Sequence, residues 1–297
     1  MLPWLHTYQQ QLSTLLYSNK LAHGLLLFGP RGIGKQQLAQ WLLSALVCTA
    51  EQKPCQQCKS CLLRRAGNHA DILLVDSSGS SIGVDAIRQL SQFMHGRAQQ
   101  QANKVVLLPE AEKLTESAAN ALLKTLEEPP QNSYLILLST ASNTLAPTLL
   151  SRCQQWPLAG QFDALTQQWL QAQSNRQVPA FLLEYCGGGP LQALSMLESG
   201  EADQIELALH GIGQFIAGQH SLEQLVKQLD AVASLAALFG WYLRQTVLPQ
   251  MIGEKAVKLL AIQQLYRRFC RDERQIIGQN KALALSAFLC ELKRLQQ

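Results

Sequence analysis

Leu25-Leu26-Leu27-Phe28-Gly29-Pro30-Arg31-Gly32-Ile33-Gly34-Lys35-Gln36-Gln37-Leu38 decides the fold. It holds a four-residue apolar run, a glycine-rich turn ending in lysine, and the start of a helical pattern that continues through Trp41, Leu42 and Ala45. A strand that feeds a G-x4-G-K turn and then a helix aims the turn's N–H groups and the helix N-terminus at one anion. In a working loop of this kind the backbone cradles phosphates, the lysine reaches the terminal ones, and a Ser or Thr hydroxyl holds magnesium. Gly29, Gly34 and Lys35 are the candidate nucleotide-binding residues, but Gln36 stands where the hydroxyl should be. Its amide is too long and differently placed to replace that oxygen. Nucleotide binding therefore stays open and hydrolysis is disfavoured; a tight strand-to-helix turn that binds nothing is the plainer alternative.

Working outward, Ile72-Leu73-Leu74-Val75, Val105-Val106-Leu107-Leu108 and Leu135-Ile136-Leu137-Leu138 are further short apolar runs, which with Leu25–Phe28 predict four central strands buried on both faces. Between them Val84, Ile87, Leu90 and Met94 recur at helical spacing. So do Leu114, Ala118, Leu122, Leu123 and Leu126, a helix that must stop near Pro129-Pro130. Alternating strands and helices predict a parallel sheet with crossover helices. The usual acidic metal support at the end of a second strand is also altered, because Val105–Leu108 runs into Pro109-Glu110 and proline carries no carboxylate. After about Gln161 the strand signals vanish. Gly187-Gly188-Gly189-Pro190 punctuates a short helical stretch, and helical patterning such as Leu222, Leu225, Val226 and Leu229 continues to the end.

A length of 297 residues exceeds what one core usually covers, so two or three domains are expected. The longest apolar stretch, Val232 to Leu243, is interrupted by Ser234 and Gly240 and is too short to span a bilayer. Met1–His6 lacks the basic region and apolar core of a secretion signal, which makes the reducing cytoplasm the expected location. The net charge of +4 permits contact with nucleic acid without pointing to it.

Cys48, Cys55, Cys58 and Cys61 fall in the spacing C-x6-C-x2-C-x2-C. That density is expected of a tetrahedral four-thiolate zinc site, structural because its closed shell leaves no position for substrate or water. A disulfide pair is unfavourable in a reducing compartment, and a redox pair needs only two sulfurs. His69 is expected to be a surface or packing residue. Cys153, Cys186, Cys270 and Cys290 are expected to be free thiols, mostly buried.

The run Ala119-Asn120-Ala121-Leu122-Leu123-Lys124-Thr125-Leu126-Glu127-Glu128-Pro129-Pro130, followed by Ser151-Arg152-Cys153, resembles bacterial clamp-loader AAA+ subunits. Gly83-Val84-Asp85-Ala86-Ile87-Arg88 and the four-cysteine insertion agree, and the resemblance extends with declining strength over the whole chain. It implies an α/β plus all-α architecture: an AAA+ P-loop domain over 1–160 with a zinc module at about 48–66, a helical lid at 161–201, and a helical collar for oligomerisation at 202–297. Within the family, the Walker A hydroxyl of the hydrolysing gamma/tau motor falls on Gln36, its Walker B Asp on Pro109, and its sensor 2 arginine near Leu191. Ser139 or Thr140 occupies the sensor 1 place. These departures favour a non-hydrolysing stator, part of the DNA polymerase III holoenzyme but without ATPase or polymerase activity of its own. The resemblance then makes Arg152 an arginine finger acting in trans on a neighbour's ATP, where a surface ion pair is its plainer reading. The implied partners are the gamma/tau and delta subunits, with the sliding clamp and primed DNA reached through the complex. An ATP-hydrolysing motor with an unusual metal shell is the alternative function.

Overall fold

The computed structural model describes residues 2–100, 103–250, 256–275 and 280–296. They form two compact units, Met1–Gln173 with Cys186–Ala193, and Ser174–Tyr185 with Leu194–Gln297.

The first unit is built on strands β1 (Gly24–Phe28), β2 (Ile72–Leu74), β3 (Lys104–Leu108), β4 (Ser133–Ser139) and β5 (Gln154–Pro157). Every pairing is parallel, in the order β2-β3-β4-β1-β5. Leu26 is in register with Leu137, and Leu108 with the same Leu137 on the other side, so the three middle strands stack apolar residues row on row. Alternation splits each run between two cores. Leu25, Leu27, Val105, Leu107, Ile136 and Leu138 face one way, against helix α2 (Lys35–Val47) and the N-terminal helix α1 (His6–Tyr17). Leu26, Val106, Leu108, Leu135 and Leu137 face the other, against α4 (Val84–His95) and α5 (Glu116–Glu127), with the short helix α3 (Lys59–Arg65) lying between α2 and β2 in the chain. The α5 start is fixed by Thr115, whose hydroxyl accepts from the Ala118 N–H at 3.2 Å.

The sheet differs from the expectation in two places. Ile72–Leu74 is an edge strand paired only with β3, and Leu74 is 57% exposed, so this run is not a central strand. An apolar run marks a strand without fixing its place, and here Ile72 and Leu73 are half-buried and Leu74 exposed because no strand among the described residues flanks the outer edge. The opposite edge is β5, which the sequence analysis did not name: Gln154-Gln155-Trp156-Pro157 buries only Trp156 and ends in a proline that edge strands tolerate.

The second unit is helical. Its helices include Glu201–Ile216, Leu222–Leu229, Leu235–Tyr242, Ala256–Gln275 and Lys281–Gln296. Phe239, Phe269 and Phe288, from the last three of these, meet pairwise with ring centroids 4.5–5.3 Å apart. Such pairs add roughly 0.5–1.5 kcal/mol each beyond area burial. Cys153, Cys186 and Cys270 form no disulfide and are only half-buried, and Cys290 is exposed. Cys290 falls off the buried stripe of Leu285, Phe288, Leu289 and Leu292, which corrects the expectation of mostly buried thiols. No helix among the described residues is long and apolar enough to cross a membrane.

The unequal burial of the strands is testable by urea unfolding followed through tryptophan fluorescence. Leu137→Ala, at a fully covered position, is expected to cost about 2–5 kcal/mol. Leu74→Ala is expected to stay within about 0.5 kcal/mol, and equal losses would contradict the edge placement of β2.

Candidate functional site

The turn between β1 and α2 is held by contacts that only glycine allows. Gly34, the residue before α2, has φ of 101°, and Gly32 has φ of 73°, values that an L side chain rarely adopts. A Cβ on Gly32 would lie 2.2 Å from the Gln192 nitrogen. The approach is that close because the Leu191 N–H donates to the Gly32 carbonyl at 2.9 Å. Leu191, the residue nearest the sensor 2 place, thus binds the loop by its backbone and brings no cation to it.

Gly34 and Lys35 line a cavity, and Gly29 meets Lys35 through its carbonyl. The Lys35 ammonium donates to the loop's own carbonyls, Gly29 at 2.6 Å and Pro30 at 2.9 Å. Burial lowers its pKa, Glu112 acts in the opposite sense, and Arg31 adds to the lowering. Gln36 and Pro109 line the same cavity of about 370 Å³, and neither carries the hydroxyl or carboxylate that holds magnesium in a working loop of this kind. Glu110, just past Pro109, also lines the cavity; it takes a left-handed backbone (φ 53°) and pairs with Lys113 at 2.9 Å. A hydrogen bond from Lys113 is the main cause holding its carboxyl below the usual range.

Glu112 is the pocket residue that sequence reasoning missed. It sits in the short turn Ala111–Lys113 after β3, and its Oε1 accepts from both the N–H (3.2 Å) and the hydroxyl (2.9 Å) of Thr140 at the end of β4. The only local signal was an acid two residues beyond Glu110; its partner lies 28 positions away. Ser139 donates instead to the Ala141 carbonyl at 3.0 Å.

Arg152 is not among the residues lining this cavity. It follows helix α6 (Pro147–Leu150), donates from Nε to Glu127 at 2.8 Å and from Nη1 to the Thr148 carbonyl at 3.1 Å, and is 35% exposed. The guanidinium therefore sits at the surface, with Nε and Nη2 both on Glu127 at the end of α5 and Nη1 also within 3.3 Å of the Ser151 hydroxyl.

Cys48 ends α2, and Cys58 caps α3 by accepting from the Cys61 N–H. The four sulfurs of Cys48, Cys55, Cys58 and Cys61 lie within 4.8 Å of one another, with Cys48 3.5 Å from Cys55 and 3.9 Å from Cys58. The edge of a tetrahedron with metal–sulfur bonds near 2.3 Å is about 3.8 Å, so this cluster can hold a metal ion. Main-chain donors reach two of the sulfurs: the Cys55 N–H lies 3.4 Å from the Cys48 sulfur, and the Cys58 N–H 3.3 Å from that of Cys55. Donation from the Gln57 backbone lowers Cys55. At Cys58 burial is outweighed by bonds from Thr49 and Cys61, leaving it at about 6, while burial pushes Cys61 up to about 12. His69 is a packing residue, buried and bonded to Ser60 and the Asp71 N–H.

A parallel five-stranded sheet with a glycine-lysine loop after its β1, followed by a helical unit, places the chain in the AAA+ class of P-loop folds. A family model described as DNA polymerase III, delta subunit matches residues 5–161. Identity reaches 39% over 280 residues with DNA polymerase III subunit delta' of Yersinia pestis, covering 89% of this chain and 82% of that one. It is 37% over 228 residues with subunit delta' of Haemophilus influenzae, covering 75% and 69%. Subunit tau of Bacillus subtilis is 32% identical over 216 residues, covering 67% of this chain and 38% of tau. The chain belongs to the DNA polymerase III delta' family of clamp-loader subunits.

The clasp on the loop predicts that Gly32→Ala destabilises the protein by about 1–3 kcal/mol, from backbone strain and displacement of Gln192. Thermal unfolding reads this, and an unchanged midpoint would refute the close approach.

Proposed function

We propose that the chain is the non-hydrolysing, stator-type subunit of the clamp loader and lends Arg152 to the ATP site of an adjacent gamma/tau motor subunit. The assembly, which includes delta, uses ATP in the cytoplasm to place the sliding clamp on primed DNA. The observation that carries this reading is the makeup of the chain's own loop: Gln36 and Pro109 stand where two metal ligands should, and Lys35 is turned onto the carbonyls of Gly29 and Pro30. A loop so equipped has no way to bring magnesium to a β–γ phosphate bridge.

The state of Arg152 is compatible with service in trans. Its partner Glu127 is 46% exposed, and ion pairs this open are worth about 0–1 kcal/mol. Transfer of the guanidinium to a neighbour's γ-phosphate loses little and gains a charge-assisted contact that accelerates phosphoryl transfer by about 10³–10⁵ where arginine fingers act. Lysine cannot reproduce the planar fork.

Zn²⁺ is the ion proposed for the four cysteines; when bound it supplies a cross-link between the end of α2 and α3, with no open coordination position. Residues 161–201 and 202–297 are assigned to lid and collar roles. Support for the collar is the helical packing around Phe239, Phe269 and Phe288.

ATP turnover by the purified chain alone separates the stator from a motor: turnover that Lys35→Ala abolishes would reject the stator. Arg152→Ala should leave unfolding within about 1 kcal/mol of the parent and cut turnover at the neighbouring motor site about a thousandfold or more, seen as loss of that site's share of the DNA-stimulated ATPase. Arg152→Lys should not rescue it, and unchanged turnover would discredit the finger. Elemental analysis should find about one zinc per chain, absent in Cys58→Ser. A metal-free parent of full stability would contradict the zinc assignment.

A further inference from the structure

The cavity around Lys35 is not short of space. Its volume of about 370 Å³ lies inside the range of roughly 300–1,000 Å³ common to small-molecule sites. Two of its lining residues, Lys35 and Thr140, have their donors engaged from within the chain, while Arg31 lines it as a second cation. Lys35 is turned to Gly29 and Pro30, and both donors of Thr140 go to Glu112.

The Glu112 carboxylate is fixed by those two bonds through Oε1, while Oε2 is buried and has no hydrogen-bond partner among the described residues. An unsatisfied buried carboxylate oxygen is costly unless a cation lies close. Lys35 lines the same cavity, and Glu112 favours its ammonium form against the effect of burial. The carboxylate thus offsets part of the positive charge that Lys35 and Arg31 bring to the pocket. An entering polyphosphate would also meet a like charge in a partly dry site, where repulsion is several-fold stronger than in water.

We infer that Glu112 is a built-in anion, a specificity-determining carboxylate that keeps polyphosphate out of the chain's own loop. The inference rests on the reading of this loop as unable to hydrolyse ATP and adds a reason why it does not merely hold nucleotide idly. Removal of the two metal ligands alone would weaken binding of magnesium nucleotide; Glu112 extends the exclusion to the metal-free anion.

Calorimetric titration of the full chain with ADP, in EDTA and separately in magnesium, tests this. Glu112→Gln keeps an oxygen for Thr140 and removes the charge, and it should bind ADP in EDTA about tenfold or more tighter than the parent. Adding Lys35→Ala to that variant should abolish the gain. Glu112→Ala reads the same charge if the Gln variant does not fold, folding being checked by thermal unfolding. Two results would overturn the inference: neither variant binding more tightly than the parent, or the parent binding ADP with magnesium and losing affinity on Glu112→Gln, which would make the carboxylate a metal ligand. Turnover does not enter this titration, so loss of the inference leaves the stator reading standing, and ATP hydrolysis by the lone parent chain would sink the stator reading instead.

Discussion

The Lys35 ammonium is held by the carbonyls of its own loop, and the rest of the account depends on that internal satisfaction. A phosphate-binding lysine normally relies on its ligand to complete its partners. Here the loop closes on itself, backed by Leu191 and Gln192, with Glu112 lining the same cavity. A loop closed without a ligand suits the proposed stator role.

Helix α2 makes this local arrangement global. It begins at the loop, buries eight residues against the sheet, and ends at Cys48 in the cysteine cluster. The phosphate loop and the thiolates are two ends of one rod about 20 Å long, given 13 residues at about 1.5 Å each. Arg152 belongs to a different part of the same unit, just before edge strand β5, and its pairing with Glu127 lies at the surface. The loop and the proposed finger are thus placed by separate elements and can be altered independently.

Local patterns were legible in the sequence and long-range ones were not. The strand–loop–helix at Leu25–Leu38 and the cysteine spacing at Cys48–Cys61 each lie within one short stretch, where periodicity and turn chemistry suffice. The edge position of Ile72–Leu74 was not readable, since an apolar run carries no information on how many strands flank it. Strand β5 escaped because Gln154-Gln155-Trp156-Pro157 buries a single side chain. Glu112 escaped because its meaning comes from Thr140 and Lys35, which only the parallel order β3-β4-β1 brings beside it.

The family assignment makes the chain a clamp-loader subunit of DNA polymerase III, and the proposed chemistry turns on Arg152 and on the makeup of its own loop. The most direct test is a structure of the assembled clamp loader trapped with ADP and aluminium fluoride. The account predicts Arg152 released from Glu127 and bonded to the fluoride at the neighbouring subunit, with Lys35 still on the Gly29 and Pro30 carbonyls and no nucleotide in this chain's loop. Nucleotide bound at Lys35, with Arg152 still paired to Glu127, would contradict it.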